Sequence, residues 1–286
     1  MGKGVFFIIA AAVLWGTTGT AQFFAPEGAS PMTVGAFRLL VGGTGLLLLA
    51  VVSGCFRNGK PWNKLHVLMG ALAVAAYQVT FFTGVKLTGV AVGTIVAIGS
   101  APVSAGVLGY FILHEKIRMR WYISSALAIL GCTLLALSGG GDITISLPGI
   151  ICAFGAGFSY ALYALLTKVL IKDHNGTASV GLIFFFGAVL LSPVLFFTDT
   201  SWIMSLQGVG VAVHLGLITT TLSYILFAKG LQTVSVSSTA TLSLVEPLTA
   251  TILGIFLVGE KINFMVGMGI TCLFLGIAIL VIRSRS

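Results

Sequence analysis

Charge is what this chain has least of. Of its 286 residues only 8% are charged, against roughly 25% in a soluble domain, too few to cover a globule with a hydrated surface. The four cysteines, Cys55, Cys132, Cys152 and Cys272, show no CxxC spacing, and three lie in apolar runs. That excludes a zinc or thioredoxin-type motif and reads as buried, inert thiols. The four histidines, His66, His114, His174 and His214, are scattered near predicted helix ends, with no metal or triad spacing. A membrane enzyme would therefore lack a catalytic set, and no metal or cofactor is expected. No GxxxxGK[ST] loop occurs, so this chain is not expected to hydrolyse ATP directly. A net charge of +8 would suggest nucleic acid in a soluble protein, but there is no basic stripe interleaved with aromatics.

What is present is apolar. Hydrophobic residues make up 57% of the chain and mean hydropathy is +1.11, so the solvent that fits is the bilayer. The 37 glycines suit helices packed closely in lipid. A span needs about 20 apolar residues, which places ten helices near 4–24, 32–52, 65–85, 89–112, 121–138, 148–170, 177–198, 207–229, 235–257 and 262–282. Turn chemistry fills the breaks: Pro26 to Pro31, Asn58-Gly59-Lys60-Pro61, Ser138 to Asp142, and Asp173 to Gly176. The shortest turns are at Leu87–Thr88 and around Thr233. The N-terminal apolar run shows no clear cleavage site and reads as a retained first span. With ten spans and the N-terminus inside, twelve Lys and Arg residues fall in cytoplasmic segments, among them Arg283 and Arg285; Lys86 and Lys261 fall outside, and Arg38 lies within the second span. This bias predicts that both termini are cytoplasmic, and it makes the triplet Asn175-Gly176-Thr177 an accidental glycosylation motif.

The chain also resembles itself at an offset of 145 residues. Pro102 matches Pro247, Glu115-Lys116-Ile117 matches Glu260-Lys261-Ile262, Gly109 matches Gly254, Thr94 matches Thr239, and Trp15 is paired with Tyr160. Two five-span repeats, residues 1–143 and 144–286, follow. Five is odd, so the second enters the membrane inverted. The loops agree: His114 to Arg120 is strongly basic, whereas Gly259 to Met265 keeps one lysine. Inverted repeats are the usual architecture of secondary transporters, with a site near the midplane between the halves. A duplicated scaffold without transport, such as a membrane enzyme or receptor, is the alternative. Both repeats lie in one chain, so a functional monomer is expected, with an oligomer left open as the alternative.

The Leu14-Trp15-Gly16 start, Ser30-Pro31 with Phe37-Arg38, and the segments Pro102…Glu115 and Glu246-Pro247…Glu260 are similar to the EamA-type branch of the drug/metabolite transporter superfamily. The resemblance covers essentially the whole chain. It implies a ten-helix, five-plus-five inverted repeat in a bacterial or archaeal cell membrane. It further implies movement of small polar metabolites, often amino acids, by alternating access, and leaves the substrate open.

Polar groups are costly in a bilayer, so their placement is informative. Trp15, Thr18 and Gln22 share one face of the first span; Tyr160, Tyr163 and Thr167 do so at the same offset in the sixth. Tyr77, Gln78 and Phe81 on the third span, and Thr220, Thr221 and Tyr224 on the eighth, add aromatic and polar groups. Either these groups are interhelical glue or they line a shared cavity, whose rings would suit an aromatic, aliphatic or cationic metabolite. Trp62, Trp121 and Trp202 read as interfacial anchors. Glu246 stands mid-span before Pro247, with Thr239 and Ser243 on its face; its counterpart is Ala101, so the repeat does not require an acid there. It would bind a substrate ammonium, take up a coupling proton, or serve structurally at the proline. Arg38 would pair with Glu246, attract a carboxylate, or snorkel outward. Pro102 and Pro247 would kink their helices as paired hinges, the first flanked by Gly99 and Gly106. Glu115 and Glu260 read as loop or gate salt-bridge partners. The expected function is a metabolite exporter, with amino acids favoured and a coupling proton on Glu246. An importer or facilitator of amines such as choline is the alternative.

Overall fold

The computed structural model describes residues 2–57, 60–139, 146–259 and 261–282. Asn58, Gly59, Asp142, Glu260, Arg283, Arg285 and the boundary between the two repeats at 143/144 lie outside the described residues. Among the described residues all regular structure is helical. The helices are α1 (Lys3–Phe23), α2 (Pro31–Val52), α3 (Lys64–Leu113), α4 (Met119–Ser138), α5 (Leu147–Leu170), α6 (Gly176–Leu191), α7 (Leu206–Val213), α8 (Ser223–Leu231), α9 (Val236–Leu242), α10 (Val245–Leu253) and α11 (Phe264–Val281). A π-helical stretch, His214–Leu222, joins α7 to α8, and a second, Gly254–Val258, extends α10. Nine helical segments among the described residues are long and apolar enough to cross a membrane.

Polar side chains start most helices. Ser30, Asn63, Ser146, Asn175, Ser205, Ser235 and Asn263 each accept a hydrogen bond from a backbone N–H of the following turn, satisfying donors the helix leaves open. Asn175, part of the apparent glycosylation triplet, is thus the cap of α6.

Nine segments stand where ten spans are expected because α3 carries two of the latter. Its 50 residues would make a rod of about 75 Å, against a hydrocarbon core of about 30 Å. The rod is broken at Gly89, where φ is 81° and ψ 162°, a region essentially restricted to glycine. The chain folds back on itself there, since a Cβ on Gly93 would lie 2.8 Å from Cα of Val85. Gly89→Val should lower the unfolding temperature and the yield of folded protein, the strain costing about 1–3 kcal/mol. A valine variant that melts with the wild type would show that the reversal does not depend on this glycine.

Contacts between connections sort them to two ends. At one end Lys60 Nζ meets Asp173 Oδ1 at 2.8 Å, Arg120 Nη1 donates to Ile282 O at 2.7 Å, and Gly4 packs on Thr233. At the other, Gln207 Nε2 donates to Phe24 O at 2.7 Å and Gly149 lies against Leu87 and Thr88. The hydrogen bond and charge of Lys60 hold the Asp173 carboxyl below the usual carboxylate range, although so exposed a pair adds little to stability.

The two prolines differ. Helical dihedrals persist through Pro102, the one interruption in α3 being Gly89. Before Pro247 the helix breaks: α9 ends at Leu242, Leu244 has ψ of 0°, and α10 starts at Val245. Proline clashes with the carbonyl four residues earlier, here Ser243, and cannot donate to it. The expected pair of kinks is therefore realised as an interruption at one member only.

Two of the three tryptophans read as interfacial anchors are buried. Trp121 is 8% exposed with its indole N–H on Ser237 O at 3.0 Å, and Trp202 is 3% exposed. Trp62 stacks on His174, with ring centroids 3.7 Å apart.

Candidate functional site

The break before Pro247 opens onto a central cavity. It has two compartments, of about 60 and 40 Å3 as measured by the space open to the centre of a water molecule, which meet at Tyr77, Tyr160 and Glu246. One water needs about 10–15 Å3 by this measure, so each compartment holds a few waters. The larger is lined by Trp15, Arg38, Gln78, Tyr163, Phe184, Thr220 and Tyr224, and the smaller by Gly157, Ser243, Leu244 and Pro247, in addition to the shared residues.

Six aromatic rings line the larger compartment. Trp15 is 3% exposed, donates from Nε1 to Ser223 Oγ at 2.8 Å, and lies against Tyr224 with centroids 5.1 Å apart. Tyr163 and Tyr224 share a hydrogen bond between hydroxyls at 3.1 Å, and Phe184 packs on Tyr224 at 3.9 Å. Tyr160 and Ser243 are joined at 2.7 Å; Ser243 donates to Thr239 O at 3.0 Å, so the tyrosine hydroxyl is the donor to Ser243. Tyr77 stacks nearly parallel to Phe81, with centroids 5.8 Å apart. Gln78 donates from Nε2 to Gly35 O at 3.4 Å.

Two charged side chains share this apolar wall. Arg38 donates from Nε to Thr220 Oγ1 at 3.1 Å and from Nη2 to Thr219 O at 3.3 Å. Both acceptors belong to the π-helical stretch, where Thr220 and Thr221 donate to carbonyls five residues back, on Leu215 and Gly216. A single arginine has five N–H donors, so part of the guanidinium is uncommitted among the described residues. Glu246 sits in the first turn of α10, and no described residue hydrogen-bonds its carboxylate. α1 approaches closely because residue 16 is glycine: a Cβ there would lie 2.8 Å from Glu246 O. Of the three roles open to Arg38, the ion pair with Glu246 is not formed; the salt bridge seen among the described residues is Lys60–Asp173.

Of the sequence-predicted residues, Trp15, Arg38, Tyr77, Gln78, Tyr160, Tyr163, Tyr224, Ser243, Glu246 and Pro247 line this cavity. Thr18, Gln22, Phe81 and Pro102 do not. The Thr18 hydroxyl is buried with no partner among the described residues, and Phe81 stacks behind Tyr77. Phe184 was not singled out, because nothing polar marks it within the run Ile183 to Phe186. Ser223 was also missed, though it stands beside Tyr224, two residues past the run Thr219 to Thr221.

Glu115 is not a salt-bridge partner. Its carboxylate accepts from Val236 N at 2.6 Å, Ser237 N at 3.2 Å and Ser237 Oγ at 2.8 Å, closing the N-terminus of α9. Lys168 donates to Leu231 O and to Val234 O at the end of α8. The short α8–α9 connection is thus held by an anion at one end and a cation at the other, each matched to the helix dipole it meets. Among the described residues no three His, Cys, Asp or Glu side chains cluster to hold a metal.

The sequence profile of the EamA-like transporter family matches the chain twice, over residues 2–137 and 147–282, the second match displaced by 145 at each end. Over 279 residues the chain is 44% identical to the uncharacterized transporter YwfM of Bacillus subtilis, covering 98% of this chain and 94% of that one. It is 25% identical over 260 residues to a "Probable terminal-alkyne amino-acid exporter" of Streptantibioticus cattleyicolor, covering 90% and 86%. A protein crystal structure superposes with a TM-score of 0.84 at 18% identity, covering 97% of this chain and 96% of the other, a likeness of fold.

Proposed function

Because the chain belongs to the EamA-like transporter family, we propose that it is a secondary transporter exporting small amino-acid-type metabolites by alternating access, coupled to protons through Glu246. The observation that carries this reading is the cavity. A carboxylate that no described residue bonds and an arginine with donors left over stand in one small space among helices from both parts of the chain. Such groups are expensive in a bilayer and mark a substrate or ion path. In this architecture α3 crosses twice, giving ten crossings in two inverted sets of five. The doubled family match and the reversal at Gly89 support it. The positive charges at the end gathered around Lys60, Arg120 and Lys168 support a cytoplasmic position for that end and for both termini, in a bacterial cell membrane. One relative named as an amino-acid exporter favours that substrate class and direction.

Everted membrane vesicles containing the protein should accumulate a labelled neutral amino acid when their lumen is acidified, and lose it when the pH gradient is collapsed. Vesicles that move no member of an amino-acid and amine panel would overturn the reading. Accumulation of amines alone would favour the amine facilitator.

A further inference from the structure

We propose that Arg38 and Glu246 are the two poles of a clamp for a zwitterion. Arg38 holds the carboxylate and Glu246 the ammonium of a neutral α-amino acid, and that ammonium competes with the coupling proton for the one carboxylate. This rests on the transport reading and deepens it by naming the substrate class.

The two side chains line one compartment from different helices, α2 and α10, and are too far apart for ion-pair contact. Opposite charges in a poorly polar space attract strongly, so a gap between them is unfavourable unless something bridges it. What fits is a ligand carrying the complementary charges on adjacent atoms. The α-amino acid does so, with its carboxylate one carbon from its ammonium. A simple amine would satisfy Glu246 and leave Arg38 facing an unneutralised cavity; a simple carboxylate would do the reverse. A basic or acidic side chain would add a charge with no counter-charge, since apart from Arg38 and Glu246 the lining of that compartment, Gln78 and Thr220 included, is uncharged. An apolar side chain suits that wall.

Competition explains why export and proton entry would be linked. Glu246 carries either the ammonium or a proton, and losing one favours the other. The titratable groups that line the cavity with it are Arg38 from α2, Tyr77 from α3, Tyr160 and Tyr163 from α5 and Tyr224 from α8, and Cys132 of α4 lies within electrostatic reach. α1 brings the indole of Trp15 and no acid or base, and Cys272 of α11 lines a separate outer groove. Glu246 is therefore the one carboxyl among them.

The test is counterflow in proteoliposomes of the full chain with labelled leucine and phenylalanine. Each is competed with by its amine (3-methylbutylamine, phenethylamine) and by its deaminated acid (4-methylpentanoate, 3-phenylpropanoate). Competitors lacking either pole should be at least ~30-fold weaker than the parent amino acid, about the worth of one charged hydrogen-bonded contact. Arg38→Gln should narrow the gap between amine and amino acid, and Glu246→Gln the gap between deaminated acid and amino acid. Lowering the pH should weaken leucine in the wild type and not in Glu246→Gln. Because Arg38 also braces the π-helical stretch, Arg38→Lys, which keeps the charge, serves as the folded control and should restore most of the discrimination. Amines that compete as well as amino acids, or discrimination unchanged in both folded variants, would overturn the clamp while leaving transport intact. Absence of counterflow with every probe would overturn both readings.

Discussion

Replacing Glu246 by glutamine should abolish accumulation driven by a pH gradient, by about 100-fold or more, while counterflow of amino acid persists at reduced affinity. The glutamine oxygen still accepts a hydrogen bond from an ammonium, but the amide cannot be protonated, so uphill movement loses its driving ion and exchange does not. The site supports this separation because no described residue bonds to the carboxylate, and the bonds of Arg38 go to Thr219 and Thr220 and leave its other N–H groups for a ligand. A purely structural acid would behave differently. Both activities would then fall together, in proportion to the amount of folded protein, and that result would refute the coupling role. Parallel thermal unfolding of the variant separates the two cases.

The largest stability effect is expected at Glu115. Removing its side chain in Glu115→Ala strips three hydrogen bonds from the start of α9 at Val236 and Ser237. A neutral cap is worth roughly 1 kcal/mol, and charge-assisted bonds are about twice as strong, so the loss should be about 2–3 kcal/mol. It should appear as an unfolding temperature several degrees lower in detergent. Glu115→Gln, which keeps an acceptor and loses the charge, should fall between the alanine variant and the wild type. If alanine and glutamine variants both melt with the wild type, the carboxylate is not what holds the α8–α9 connection.

Hydropathy and turn residues made the helices legible, because an apolar solvent leaves few options for the backbone. Most predicted ends lie within about three residues of the observed ones, in keeping with the usual accuracy of boundaries. The exception is the span read to 198, where α6 stops at Leu191 and tighter 3-10 turns carry the chain past Pro193. Polar placement marked Arg38, Tyr77, Tyr160 and Glu246, since such residues in an apolar run need a reason. Three things were not legible. Phe184 faces the cavity but looks like any lipid-facing phenylalanine in sequence. Thr18 and Gln22 share a helical face with Trp15 in projection, yet only Trp15 is placed where the cavity lies along that helix. The unequal behaviour of Pro102 and Pro247 depends on neighbouring helices, which the repeat pattern treats as equivalent.

The reversal at Gly89 leaves no slack. An ordinary loop would let its two helices shift independently, whereas here the arms of α3 meet at one residue, like the limbs of tongs at their pivot. Each arm runs about 37 Å from that point, with Tyr77 and Gln78 on one and Ala97, Ile98 and Ala101 on the other facing the cavity. A change of about 10° in the angle between them would move their free ends apart by about 6 Å at that arm length. Glu115 rides just past the tip of the second arm, beyond His114, whose left-handed backbone turns the chain toward α9. An opening of that size is about twice the length of the bonds from Glu115 to Val236 and Ser237. A hinge movement of that size at Gly89 would widen the cavity and part Glu115 from α9 together.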